Sequence, residues 1–181
     1  MYDDKKILEQ LRFHGLRFRL GLANCSELRQ VADAALNAGI YSPSLVDAAL
    51  DAEEWLWEIG IAFQKALSEL SITLSDSKEE CCWEVLRYHI GQIASQEVEP
   101  FAGLKGIMQV YYGCQDLIQS DRYIGDSHDI HELIGAYWGY DDLIEGSQEI
   151  LTDKDTCLEL DQAVVEICRA WLNKHSISRF M

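Results

Sequence analysis

The sequence predicts an all-α fold, a single-domain bundle of six to eight helices with one long central helix. Two prolines in 181 residues leave few forced breaks. Apolar residues recur at steps of three and four through most of the chain, the spacing that lines one face of a helix. No alternating run is long enough to build a sheet, no segment repeats another, and no linker rich in glycine, serine or proline divides residues 1–181.

The first helix runs from Asp4 to about Leu22, with Ile7, Leu8, Leu11, Phe18 and Leu22 as its stripe and Gly15 and Gly21 weakening it. Asn24 or Ser26 caps a second, on Leu28, Val31, Ala35 and Leu36, which Gly39 terminates. Ser42-Pro43 opens a third: the serine side chain accepts a free N–H, and proline at the first position gives up a donor without an intrahelical partner. From there Ala49, Ala52, Leu56, Ile59, Phe63, Ala66 and Leu70 form an unbroken 3-4 seam, which predicts the long helix over 43–72 and marks Gly60 and the stretch near Ala52 as places where it kinks or divides. Trp55 and Trp57 flank this seam, and its alanines allow close approach of a neighbour or of a second copy.

Ser77 and Glu80 have capping-box spacing ahead of a fourth helix to about Ser95, with Cys82, Val85, Leu86, His89, Ile90 and Ile93 on its apolar face. Pro100 opens a fifth, carrying Phe101, Leu104, Ile107, Met108, Tyr111 and Ile118 and ending near Gln119. Residues 120–127 read as a surface loop. Residues 128–146 read as a helix interrupted by Gly135 and Gly139. Thr152 and Asp155 bracket a last start, with Leu160, Val164, Ile167 and Trp171 continuing to Lys174 and the tail fraying from about 175.

Acids outnumber bases 31 to 15, a formal net charge of −16. Such a chain repels phosphates, which excludes nucleic acid and anionic membrane as natural partners. Residues 1–30 are the exception, six cations against four acids. The six cysteines show no C-x-x-C pair and read as reduced, buried thiols. Cys25, ahead of the second helix with Arg29 a turn on, is the candidate for a reactive thiol. The opening residues lack the apolar run of a secretory signal, and no window of about 20 apolar residues exists to span a bilayer. These features predict the cytoplasm of a bacterium or an equivalent compartment.

The phosphate loop, the dinucleotide fingerprint, the G-x-S-x-G nucleophile turn and H-E-x-x-H are all missing, so the expectation is no enzyme and no cofactor. One string holds metal-ligating types: Asp126, His128, Asp129, His131 and Glu132. On one helix His128, His131 and Glu132 share a face. The His128-Asp129 doublet resembles that of the all-helical phosphohydrolases, which build a metal site from a distant histidine, a His-Asp doublet and a later aspartate. The resemblance spans four residues and implies His89, His128, Asp129 and Asp161 as ligands of a metal-dependent hydrolase. Against it stands a solvated helix start, its acids favoured by the macrodipole. His89 reads first as a core histidine, and His14 and His175 have no nameable partner.

Charge is the most informative feature. Between 121 and 166 thirteen acids face only Arg122 and Lys154. Tyr137, Trp138 and Tyr140 cluster among glycines beside Asp141 and Asp142, a pairing of large anchors with steering charge. The leading expectation is a non-enzymatic acidic binding protein, in its most concrete form an immunity or inhibitor protein neutralising a basic protein such as a toxin. Its contact set is Asp126, Asp129, Glu132, Tyr137, Trp138, Tyr140, Asp141, Asp142 and Glu145. A helical scaffold or homo-oligomer is the further alternative.

Overall fold

The computed structural model describes residues 4–50, 56–145 and 154–175, with the side chains at 56, 57, 143–145 and 154–156 outside the description. Among the described residues there are eight α-helices and no strand: α1 (Asp4–Arg19), α2 (Cys25–Asn37), α3 (Pro43–Ala49), α4 (Leu56–Glu69), α5 (Lys78–Ala94), α6 (Pro100–Gly113), α7 (His131–Glu145) and α8 (Lys154–Lys174), with a 3-10 turn at Asp126–His128. None is long and apolar enough to cross a membrane. Two compact units account for the chain, Met1–Val85 and Leu86–Met181. Their boundary falls inside α5, so no linker marks it in the sequence.

In the first unit α1 to α4 surround a core of Leu11, Leu28, Ala32, Leu45, Ile59, Phe63 and Ala66, the seam residues among them fully buried. The alanines of the seam serve this core: Ala66 lies inside it and Ala49 against it, while Ala52, Trp55 and the side chains of Leu56 and Trp57 lie outside the described residues. The expected long helix is divided near Ala52. α3 ends at Ala49 because Leu50 takes extended backbone (φ −60°, ψ 135°); residues 51–55 lie outside the described residues, and α4 is described from Leu56. Gly60 lies within continuous helix and leaves room for the Phe18 ring of α1, with which a Cβ would collide.

Local capping follows the sequence closely. Ser42 Oγ accepts from the Leu45 N–H at 3.1 Å with Pro43 in the first turn. Asn24 and Glu27 form a full capping box, at 3.0 and 2.9 Å. The box expected at Ser77 is only half made: Ser77 Oγ accepts from the Glu80 N–H at 3.3 Å, but the Glu80 carboxylate takes the Ser75 hydroxyl and Ser75 Oγ accepts the Ser77 N–H. Four helices close with the paired 6→1 and 5→2 bonds of a Schellman motif, using Gly21, Gly39, Ser71 and Gln96 at the left-handed position. Buried polar groups are tied across elements. Ser44 donates its N–H and hydroxyl to Glu69 at 3.1 and 2.8 Å, joining α3 to α4 and holding that carboxyl low. Arg17 donates to Glu27 and to the Leu22 carbonyl, both at 2.8 Å.

In the second unit α6, α7 and α8 pack with the last turns of α5 around Ile90, Ile93, Leu104, Ile107, Leu133, Val164 and Trp171. Gly103 admits Ile93 and Gly106 admits the His89 ring, which sets how closely α5 and α6 approach. α6 stops at Gly113, six residues before the expected end, and turns carry the chain through Ile118, which is still buried. All six cysteines are free. Four are buried, but Cys25 is half-buried and Cys157 exposed, which corrects the expectation of uniformly buried thiols. Burial pushes the Cys168 thiol up to about 12 and also raises Cys81, so neither is a nucleophile at neutral pH.

Candidate functional site

The histidine-acid string does not lie on one helix. Gly125 and Asp129 adopt left-handed backbone on either side of the 3-10 turn, and α7 begins only at His131, so His128 does not share a face with His131 and Glu132. Asp126 causes this locally: its carboxylate accepts the N–H groups of Asp121, Arg122 and Tyr123 at 2.9, 2.7 and 3.2 Å, folding the loop back onto itself. The N–H bonds from Arg122 and Asp121 hold the Asp126 carboxyl down at about 2.

His128 is 1% exposed, its Nδ1 2.9 Å from Ser127 Oγ and its carbonyl accepting the Trp171 indole N–H at 3.0 Å. Asp129 Oδ2 accepts from Lys174 Nζ at 2.6 Å and from His175 Nε2 at 3.0 Å. The Lys174 bond is the main reason the Asp129 carboxyl lies below its ordinary range. His175 in turn lies on the Trp171 ring at 4.5 Å, and its carbonyl accepts from Arg87 at 2.8 Å. The doublet thus clasps the end of α8 to the turn. His175 was not legible as its partner, because the two are 46 positions apart.

Of the four residues the hydrolase resemblance implied, His128 and Asp129 adjoin in sequence but bond to different partners. His89 rests on Gly106, and Asp161 accepts the Tyr140 hydroxyl. No group of three or more His, Cys, Asp or Glu among the described residues is placed to hold a metal ion.

The exposed face of α7 presents a different arrangement. Glu132, Gly135, Trp138 and Asp142 point outward, with Gly139 and Asp141 half-buried beside them. Trp138 is 44% exposed yet fixed from behind: it meets Tyr137 edge-on at 5.4 Å, and Tyr137 stacks on Phe101 at 5.7 Å. Tyr140 supports the same ring from inside, 6% exposed and 5.0 Å from Phe101; burial first and the Asp161 bond second raise its phenol. Of the three aromatic residues singled out in the sequence, Trp138 is exposed, Tyr137 is half-buried and Tyr140 is buried beneath them. The Glu145 side chain lies outside the described residues.

No protein-family model, curated protein or solved structure matches the chain.

A Cβ at Gly15, Gly60, Gly103 or Gly106 would collide with Leu67, Phe18, Ile93 or His89, which accounts for each of those glycines. At Gly135 and Gly139 it would meet nothing within 4 Å among the described residues. Each mid-helix glycine still costs about 1 kcal/mol relative to alanine. The outer surface of α7 is thus a smooth floor one turn long, with an aromatic wall on one side and carboxylates at both ends.

Proposed function

We propose that this chain is a non-enzymatic binding protein that neutralises a basic protein partner, in the manner of an immunity or inhibitor protein, and that it acts in the cytoplasm. The observation that carries the reading is the outer face of α7, where a braced, half-exposed Trp138 stands between Glu132 and Asp142 over two glycines that no described neighbour requires. A rigid aromatic ring supplies anchoring area at low entropic cost, and flanking carboxylates select a cationic surface. The glycine floor lets a partner's backbone approach closely. The long-range field adds to this: Asp121, Glu132, Asp142, Glu159 and Glu166 are all exposed on the same unit, whereas Asp126, Asp129 and Asp161 are spent on internal bonds.

The test is to co-express the tagged chain with the basic proteins encoded beside its gene. The expected result is a stoichiometric complex that 1 M salt weakens and that Trp138→Ala loses. Neighbouring genes that encode only acidic metabolic enzymes, or a complex indifferent to Trp138→Ala, would refute the reading.

A further inference from the structure

A pocket of about 400 Å³ opens in the first unit where α4 ends, remote in sequence from α7 and independent of the function proposed above. Its floor is apolar, built by Leu67, Ile72 and Leu74. Gly15 of α1 closes it from behind, since the Leu67 and Leu74 side chains occupy the space a larger residue would take. Ser68 and Ser71 stand exposed at the mouth. Ser71 occupies the left-handed position (φ 58°) that closes α4, as Gly21, Gly39 and Gln96 do for α1, α2 and α5.

The charge of the pocket decides what it accepts. Arg19 is the charged side chain in its lining. Its Nη1 donates to the Ser75 carbonyl and to Asp76, whose side chain is fully exposed, so this ion pair sits at the rim and does little to neutralise the guanidinium. No bond among the described residues takes its Nε or Nη2 donors, the pair that binds a planar anion in the forked manner of guanidinium. The volume lies in the ~300–1,000 Å³ range of small-molecule sites, and Gln64, Ser68, Ser71 and Thr73 join Arg19 as polar groups around the apolar floor. We infer that this pocket binds a small organic anion, a carboxylate on an apolar body, with Arg19 holding the carboxylate and Leu67, Ile72 and Leu74 holding the body.

Benzoate is the probe, with benzamide as its neutral isostere, each titrated into the full ¹⁵N-labelled chain while amide shifts are followed. Benzoate should produce saturable shifts centred on residues 67–74, with benzamide at least tenfold weaker. Arg19→Gln should erase that preference. Ser68→Trp, which fills the mouth from an exposed helical position and leaves Arg19 in place, should abolish benzoate binding while the fold stays intact. Shifts that never saturate, equal binding of benzamide, or benzoate binding that survives Ser68→Trp would each overturn the assignment.

Discussion

At the scale of residues, His14 makes the clearest pH statement. Burial is the chief cause that lowers it from an ordinary 6.5 to about 4, Arg17 adds to this and Glu27 opposes it, and Nδ1 is buried without a hydrogen-bond partner among the described residues. As pH falls the unfolded chain therefore takes up this proton first, and stability declines between pH 6.5 and 4, by up to ~3 kcal/mol for a shift of this size. Asp126 works in a separate window: its carboxyl is depressed to about 2, so its contribution is present above pH 3.8 and is lost below it. Thermal melts at half-unit pH steps should show the first decline in the parent and a flatter one in His14→Gln. A second prediction concerns the clasp. Asp129→Gly keeps the left-handed backbone but drops both bonds to α8, and should cost about 1–3 kcal/mol. In a double-mutant cycle with Lys174→Met the losses should be less than additive, which calorimetry checks. The clasp was hidden in the sequence because its partners are brought together by tertiary packing, whereas the Ser42-Pro43 start and Asn24, one of two cap candidates, were legible because a cap and its helix lie within four positions.

At the scale of elements, one residue type serves two ends, and alanine substitution separates them. Gly60→Ala drives a methyl into the Phe18 ring and should cost about 1–3 kcal/mol, as overpacking does. Gly135→Ala meets open space and should stabilise the free chain by up to ~1 kcal/mol, raising Tm by about 2–4 °C. Equal destabilisation by both would mean that α7's outer face is covered within the chain. Phe63→Asp places a charge at a fully buried seam position and should abolish the cooperative melt. The seam itself shows what periodicity can and cannot tell. Ile59, Phe63 and Ala66 are buried as the 3-4 pattern predicts, so the face was legible. The place of the break was legible only to within a few residues, between the stretch near Ala52 and Gly60, because the apolar phase carries on past Ala49 and does not mark where Leu50 leaves the helix.

At the scale of the whole molecule, the sequence supplied the total charge but not how it is divided. Three of the thirteen acids between 121 and 166 are held by internal bonds, to a loop, a lysine-histidine pair and a tyrosine, so they add to the field but are fixed away from direct pairing with a partner. If the exposed remainder steers association, the on-rate for a basic partner should be high at 0.01 M salt and fall as the Debye length shrinks from ~30 Å to ~8 Å at 0.15 M. Glu132→Gln with Asp141→Asn and Asp142→Asn should lower that on-rate and flatten its salt dependence, with little change in the melting of the free chain. Trp138→Ala should instead speed dissociation, because it removes an anchor without altering charge. Gly135→Ala paired with Gly139→Ala should also speed dissociation while stabilising the free chain, a combination that general unfolding cannot produce. Rate constants measured against an immobilised partner at four salt concentrations resolve the three effects. An amide variant that associates as fast as the parent at 0.01 M salt would make the acids of α7 a solvated surface and move the interface elsewhere.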